Sequence, residues 1–542
     1  MANLIRKSLS TIKNKGLRVF FIKILSKLIP SKNFPYRSWL KANEPNSGEL
    51  IKLKKNIEGF LKRPKFTVLI FSNEKNKLDE DLSLKSLEKQ IYLNWNLTSL
   101  KEGLEKLYEK ENWGDYIVFL QSGDLLSPEA LYEVAFAVNT NSESNLFYTD
   151  EDVYIGSLNN RFSPSLKPDW SPEYFESFNY LGNGIIIKNK LFKERFNLIK
   201  DIKPNNFGEV IFQIALENKA SHVNKILYHN QKGKTVYTIN PDLIKASLEK
   251  TGVLASVEST KFNNVFNISY QLKIHPKITV IIPTRDKVEV LKKCLDSIVM
   301  KTTYHNYEIC VVNNQSEEKR TLDYFEEISK FDNLKIVDYN FPFSFSTLNN
   351  FAAKKSSAEY LLFLNNDTEI ITPNWLEEML AVAEKKGVGI VGAKLYYPNN
   401  TIQHAGAILG VGDFAGHVFV QKPRTDPGYF YRLITPQNYR AVTGACLLLK
   451  KELFEKVGGF EENLPIAFND IDLCLKIYQM GYRVVWTPYA ELYHYESLTR
   501  GLDTTSEKAK RLKKEGEFCR EKWQKLLKEE DPYFNQAINL LS

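Results

Sequence analysis

The sequence predicts an α/β protein in which two doubly wound sheets follow one another along the chain. Three observations carry this. Pro64-Lys65-Phe66-Thr67-Val68-Leu69-Ile70 is echoed by Pro276-Lys277-Ile278-Thr279-Val280-Ile281-Ile282. Asp115 to Leu120 (DYIVFL) is echoed by Glu359 to Leu364 (EYLLFL). Each second run leads to a proline at a helix start, Ser127-Pro128-Glu129 in one copy and Thr372-Pro373-Asn374 in the other. Proline suits the first helical turn, where its missing donor is not needed. Strand-length apolar runs alternating with amphipathic helical stretches imply βαβ units, and so a parallel sheet in each copy.

At 542 residues the chain is too long for one core. We divide it into a basic amphipathic region (1–62), a first α/β copy (63–232), a linker carrying a helix and a short extended stretch (233–275), a second copy (276–500) and a charged helical tail (501–542). The net charge is +8, yet ten Lys or Arg and no acid fall between Met1 and Asn43. The rest is nearly balanced, which argues against a nucleic-acid-coating surface. From Leu4 to Ile29 apolar residues recur at helical spacing among lysines and arginines. Such a helix either lies in the headgroup layer of an anionic membrane or packs on the body with its basic face solvated. No apolar run reaches the roughly 18 residues a spanning helix needs. Val19-Phe20-Phe21-Ile22 is broken at Lys23 with no small-residue cleavage site after it, so a signal peptide is not expected. The five cysteines are odd in number, scattered and without a CxxC pair, which fits a reducing, cytosolic compartment.

The chemistry gathers in the second copy. Ligands of open α/β sheets lie beyond the carboxyl ends of the strands. Thr284, Arg285 and Asp286 follow the first strand and would edge a nucleoside pocket, Asp286 alternatively serving as a helix N-cap. Asn313 and Asn314 follow the next strand and would read a pyrimidine edge or simply form a turn. Asn365-Asn366-Asp367 follows the buried run Tyr360 to Leu364. A departing nucleoside diphosphate develops negative charge that a divalent ion stabilises. We therefore expect Asp367 and His494 as protein ligands of Mn²⁺ or Mg²⁺, the imidazole tilting the choice toward Mn²⁺, with Asn365 at the ribose or the metal. Asn469-Asp470-Ile471-Asp472 opens an amphipathic helix. An alcohol attacking an anomeric carbon needs a carboxylate to take its proton, which we assign to Asp470. Asp472 is its substitute or the group that orients the site. Two acids at a helix start also simply favour the macrodipole. His404 either faces the sugar or is structural. Gly444 lies where backbone must approach closely. His417 has no such context and is set aside.

These residues resemble a known group. Ile281 to Asp286 (IIPTRD), Phe341 to Asn350 (FPFSFSTLNN), Phe363 to Asp367 (FLNND), Gln403 to Gly406 (QHAG), Thr443 to Leu447 (TGACL), Asp470 to Leu475 (DIDLCL) and His494 to Gly501 (HYESLTRG) are similar to the tandem-domain, family-2 glycosyltransferases of bacterial O-antigen and polysaccharide synthesis, often rhamnosyltransferases. Tyr148 to Asp152 (YTDED), Leu166 to Pro172 (LKPDWSP) and Asp531 to Asn535 (DPYFN) fit as well, so the likeness covers nearly the whole chain. It implies two Rossmann-like GT-A domains with helical N- and C-terminal extensions and inversion at the anomeric carbon. It implies Asp367 and His494 at the metal and Asp470 as base. It implies a UDP- or dTDP-sugar donor contacted around Thr284, Asp286, Asn313 and Asn314; Asn349, Asn366, His404 and Gly444 complete the candidate donor site. The acceptor would be a growing polyprenyl-linked glycan, met at the cytoplasmic face of the inner membrane through residues 1–40. Relatives carry Asp where this chain has Asn313.

The first copy departs further. Gln121-Ser122-Gly123-Asp124 stands where relatives carry acidic metal ligands, the later acidic pair has shrunk to Glu209, and His229 is the candidate histidine. We expect this half to be non-catalytic. Two other functions remain in view. A nucleotidyltransferase needs a glycine- and Lys/Arg-rich phosphate loop, which Pro283-Thr284-Arg285-Asp286 does not provide. A non-catalytic assembly subunit sits poorly with the retention of Asp367, Asp470, Asp472 and His494.

Overall fold

The computed structural model describes residues 34–71, 77–99, 113–141, 143–196, 207–233, 239–496, 506–535 and 538. The stretch expected on a membrane, residues 4–29, and the end of the HYESLTRG motif lie outside them. Among the described residues no helix is long and apolar enough to cross a membrane. The chain divides into two compact units, one of Met1–Trp170, Tyr180–Asn240 and Asn535–Ser542, the other of Ser171–Asn179 and Pro241–Phe534.

The first unit contains strands β1 (Phe66–Phe71), β2 (Trp95–Ser99), β3 (Tyr116–Gln121), β4 (Leu125–Leu126), β5 (Leu146–Ile155), β6 (Ser157–Ser165), β7 (Ile185–Lys188) and β8 (Ala220–Gln231). The second opens with a hairpin, β9 (Ala255–Ser259) and β10 (Phe266–Tyr270). It continues through β11 (Ile278–Thr284), β12 (Tyr307–Asn313), β13 (Leu334–Asp338), β14 (Tyr360–Leu364), β15 (Thr368–Ile370), β16 (Val388–Tyr396), β17 (Ile402–His404), β18 (Ala407–Leu409), β19 (Ala415–His417), β20 (Gln437–Tyr439), β21 (Cys446–Lys450) and β22 (Arg483–His494).

The two sheets share one plan. The first runs β2-β1-β3-β7-β5-β8-β4 and the second β12-β11-β14-β21-β16-β22-β15. Each step in the first has the same parallel or antiparallel sense as its counterpart in the second. The second sheet adds β13 at one edge and β20 beside β22. Both sheets are mixed, not wholly parallel as the alternation predicts. Parallel pairing joins β2, β1 and β3 in one and β13, β12, β11 and β14 in the other, and again β5 with β8 and β16 with β22. Strands β7 and β21 return antiparallel, which needs no crossover helix on the same side.

Local chemistry explains the strands and the helix starts. All five residues of β14 are buried, as a strand covered on both faces requires. Trp375, Leu376, Met379 and Leu380 of the helix Trp375–Ala383 pack into the core that holds Val280, Ile282, Leu362, Leu364 and Leu448. Each such side chain contributes about 1.5–3 kcal/mol by leaving water. Pro128 and Pro373 do not enter the first helical turn. They precede the N-cap residues Glu129 and Asn374, so they set the entry of the chain and not the first turn itself.

One buried charge cluster holds the second unit. Glu173 is fully buried and meets Arg483 in a forked pair (2.8 and 3.2 Å), Lys385 at 3.7 Å and Asn438 Nδ2 at 3.1 Å. Burial alone would raise its pKa, but Lys385 and Arg483 outweigh that and bring it down to about 2. A depressed carboxylate contributes stability above its unfolded pKa and loses it as pH falls toward the folded value. Glu173→Gln is therefore expected to cost about 3–5 kcal/mol at neutral pH, because it strands the half-buried Arg483 guanidinium and leaves Lys385 one carboxylate, Glu176. In denaturant titrations the gap to wild type should narrow between about pH 4.5 and pH 2; a gap independent of pH would rule the ion pairs out as its cause.

Candidate active site

The carboxyl ends of the parallel strands present a row of polar residues. Thr284 ends β11 and pairs with Asn313 of β12, which pairs with Asp338 of β13. From the other side Asn366 Nδ2 donates to Thr284 Oγ1 at 3.0 Å. Asn313 Oδ1 accepts from Ser316 N (3.0 Å) and its Nδ2 donates to Asp338 Oδ1 (2.8 Å), so a carboxylate does reach this rim, from the neighbouring strand. Asp286 does not cap its own helix. Lys287 is the N-cap, and Asp286 Oδ1 instead accepts from the amides of Glu317 and Glu318, each at 2.8 Å. Asp286, Lys287 and Gln315 all have positive φ, a strained arrangement of the kind that gathers at ligand sites. Arg285 is largely exposed, its nearest carboxylates 3.9 Å away.

Strand register builds the metal-competent pair. Thr368 of β15 lies opposite His494 of β22, so Asp367, one residue earlier, meets the imidazole. Asp367 Oδ1 is 3.1 Å from His494 Nε2, and Asn365 Nδ2 is 3.2 Å from the same nitrogen. A slip of one residue would turn His494 to the other face. Gln403, on β17, fixes the ring: its Oε1 accepts from His494 Nδ1 at 2.7 Å, while its Nε2 is held by Glu496 Oε2 at 3.1 Å. With the proton on Nδ1, the Nε2 lone pair faces Asp367. A carboxylate oxygen and an imidazole lone pair about 3 Å apart are placed as adjacent ligands of an ion with bonds of about 2.1 Å. Among the described residues no group of three or more His, Cys, Asp or Glu is placed to hold a metal. The pair offers two ligands, as expected of a Mg²⁺- or Mn²⁺-type site completed by substrate phosphates.

Three consecutive residues tie this pair to the acidic helix. Thr443 N donates to His404 Nε2 (3.3 Å), Gly444 N donates to Asp470 Oδ2 (2.8 Å), and Ala445 O accepts from Asn365 N (3.0 Å). A Cβ on Gly444 would sit 3.2 Å from that of Asp470, so the glycine is there for close approach. Asp470 is half-buried and also accepts from Ile471 N at 2.8 Å, so each oxygen takes one N–H and keeps a second lone pair for a proton.

Several expected contacts turn out to be braces. Asp472 is fully buried; its carboxylate is held by Lys522 (2.8 Å), Lys476 (3.1 Å) and Trp523 Nε1 (2.9 Å). It is no substitute base, because two ammonium groups neutralise it away from solvent; it fastens the helix that carries Asp470. Asn349 is fully buried and donates to Phe345 O, and Asn314 donates to Tyr339 O and Phe341 O. Asn314 braces the loop after β13 and Asn349 bonds back one turn within the helix Phe345–Lys355, so neither presents its N–H groups to a ligand. His404 is fully buried too, and burial, with His417 and His494 nearby, pushes its pKa well below the ordinary value. It cannot face a sugar. Gln403 and His417 were missed: the first sits inside a motif already quoted, the second thirteen residues on, across the β18–β19 hairpin that sets Ala407 opposite it.

Residues 279–458 match the family described as Glycosyl transferase family 2. This stretch is a family-2 glycosyltransferase domain. It contains the rim, Asp367 and the Thr443 to Ala445 hub; Asp470 and His494 follow it in the same compact unit. The mixed sheet built on the parallel block is thus a GT-A fold. An uncharacterized protein of Sinorhizobium fredii, y4gI, is 36% identical over 450 residues, 79% of this chain and 49% of the relative. The O-antigen biosynthesis protein RfbC of Myxococcus xanthus is 29% identical over 520 residues, 87% of this chain and 40% of the relative. The chain spans about half the length, or less, of these curated relatives.

The glycosyltransferase domain's imidazole tautomer gives a direct check. Gln403→Leu removes the acceptor on His494 Nδ1 and is expected to weaken Mn²⁺ binding roughly 10–100-fold, read by calorimetry in the presence of a nucleoside diphosphate. Unchanged affinity would mean that the ring needs no such support.

Proposed function

We propose that this domain is an inverting, divalent-metal-dependent transferase that moves a sugar from a UDP- or dTDP-linked donor to a growing, polyprenyl-linked glycan. The observation that carries the reading is the Asp367–His494 pair, with Asp470 fixed two hydrogen-bonded steps away through Gly444 and Ala445. Thr284, Asn313 and Asp338 line the rim where the nucleoside would lie, and Arg285 is free to reach the diphosphate. A Mg²⁺ or Mn²⁺ ion held by Asp367 and His494 would supply Lewis-acid stabilisation of the leaving diphosphate. The acceptor hydroxyl oxygen bonds to the anomeric carbon as the bond to the diphosphate breaks, and the hydroxyl proton passes to Asp470. The relative named as an O-antigen biosynthesis protein supports polysaccharide assembly as the setting. On this reading residues 276–500 catalyse, the basic stretch 1–40 holds the enzyme at the cytoplasmic face of an anionic membrane, 233–275 link the copies and 501–542 brace the acidic helix.

Residues 63–232 we take as a non-catalytic copy, on the state of the equivalent position. His229 lies opposite Leu125 on the ladder, as His494 lies opposite Thr368. Its Nδ1 meets Asp152 Oδ1 at 2.6 Å and its Nε2 meets Ser127 Oγ at 2.9 Å, so both nitrogens are engaged. Arg161 Nη1 lies 3.5 Å from each ring nitrogen. Its guanidinium also pairs with Glu44 and lies 3.7 Å from Asp152, whose second oxygen accepts from Tyr36 at 2.5 Å. Asp124 is fully buried and held by Tyr228 Oη (2.7 Å) and Gln231 N (2.8 Å).

Two variants separate the copies. Asp470→Asn should lower kcat roughly 10²–10⁴-fold, the usual contribution of general base catalysis, with Tm unchanged. Asp124→Asn should leave kcat within a few-fold while lowering stability by about 1–3 kcal/mol through its buried hydrogen bonds. Radiolabelled transfer from a panel of nucleotide sugars reads both; full turnover by Asp470→Asn, or in chelator, defeats the proposal.

A further inference from the structure

We propose that His417 is a sugar-binding residue of the transfer site, presenting a fixed ring N–H donor to a sugar hydroxyl beside Asp470. This rests on the transfer reading above and adds a residue that nothing in the sequence motifs supplies.

The hydrogen-bond chain behind His417 has one direction. His404 Nε2 lies 3.3 Å from the backbone N–H of Thr443 and accepts from it. A ring nitrogen that accepts carries no proton, so the proton of neutral His404 is on Nδ1. That Nδ1 lies 2.7 Å from His417 Nδ1, so His404 donates and His417 accepts. The proton of His417 is therefore on Nε2, the nitrogen left for a ligand. The two rings meet edge to face, centroids 4.8 Å apart, and His404 is wholly enclosed. The relay thus starts at a main-chain amide that cannot reverse.

His417 ends β19 and its residue is exposed, although protein packed around much of the ring lowers its pKa from the ordinary value. The ionisable groups acting on it are Asp470 and Glu496, which oppose that shift, and His494, which adds to it. Geometry places the donor near Asp470: His417 bonds His404, His404 hangs on the amide of Thr443, and the next amide, Gly444, holds Asp470. A neutral donor suits this place. An imidazolium would pair with Asp470 and reduce its basicity, whereas a neutral N–H leaves the carboxylate free. A sugar hydroxyl has one proton and two lone pairs. It can give the proton to Asp470 and accept from His417 Nε2, leaving a lone pair for the anomeric carbon; a hydroxyl of the donor sugar could be held in the same way.

The test uses the full chain with His417→Phe and His417→Gln. Phenylalanine keeps the planar bulk and removes the donor; glutamine restores an N–H. His417→Phe should lower kcat/KM roughly 10–100-fold and also lower Tm, because it removes the acceptor of the buried His404 Nδ1–H. His417→Gln, whose Oε1 can accept that proton while its Nε2 donates, should recover most of the activity and the stability. A rise in acceptor KM with unchanged acceptor-free donor hydrolysis assigns the hydroxyl to the acceptor; loss of both assigns it to the donor sugar. His417→Phe at the wild-type rate, or both variants equally impaired, overturns the proposal. Nitrogen-15 spectra of histidine-labelled protein read the tautomer without any turnover, and a proton on His417 Nδ1 overturns it as well. If the wild type transfers no sugar while His417 proves to be the Nε2–H tautomer, the failure lies with the transfer reading and the absent hydroxyl, and the binding role falls with it.

Discussion

The site depends on the main chain of Thr443-Gly444-Ala445. These residues lead into β21, whose pairing with β14 places Leu364 opposite Cys446 and so brings Ala445 to the amide of Asn365. Each of the three then fixes a different functional element: the imidazole relay through Thr443, the acidic helix through Gly444, the Asp367 turn through Ala445. Backbone groups do this better than side chains, since they carry no rotamer freedom to lose. Displacing the strand would leave buried donors and acceptors unmet, each costing about 1–3 kcal/mol. Three elements distant in sequence are thereby held at fixed separation, as differential stabilisation of a transition state requires.

What could be read from sequence follows from what a strand reveals. Asp367 was legible because five buried residues precede it and a chain leaving a parallel strand delivers its next residues to the ligand-bearing edge. His494 was legible because it closes the long strand Arg483–His494. The duplicated architecture was legible in two echoed apolar runs. The amides were not. An asparagine after a strand serves a ligand or a turn equally well, and only contacts show that Asn314 and Asn349 grip backbone carbonyls while Asn366 reaches the rim. Gln403 was hidden because its role is to orient another side chain, and no spacing in one sequence records that. His417 was hidden because its partner is thirteen residues away across a hairpin whose register periodicity does not predict.

The two units surround the equivalent histidine differently. In the second unit Nε2 of the histidine faces the Asp367 carboxylate, with the Asn365 amide beside it. In the first, a carboxylate (Asp152), a hydroxyl (Ser127) and a guanidinium (Arg161) surround the equivalent histidine, and Tyr36 and Glu44 close the cluster. Asp152 alone would be costly to bury, because an ionised carboxylate out of water needs a partner. Arg161 supplies that positive charge permanently, since a guanidinium does not deprotonate. The positive charge that Asp152 needs is thus met at this edge by a side chain, and the pairing of β4 with β8 is preserved.

The acidic pair Asp470 and Asp472 illustrates how a helix separates two like residues. Successive residues turn by about 100°, so positions two apart face nearly opposite ways. One of them must leave the site if the other enters it. Asp472 takes the inward direction, clamped by Lys476, Lys522 and Trp523. Lys522 is the last residue of the helix Ser506–Lys522, so a segment outside the matched family region sets the rotation of the helix Asn469–Gln479. Were the helix to turn by one residue, Asp470 would leave Gly444 N and Asp472 would break two ion pairs at once. The buried clamp therefore gives the half-buried carboxylate a single azimuth, and the placement of Asp470 is determined by the charges paired to Asp472.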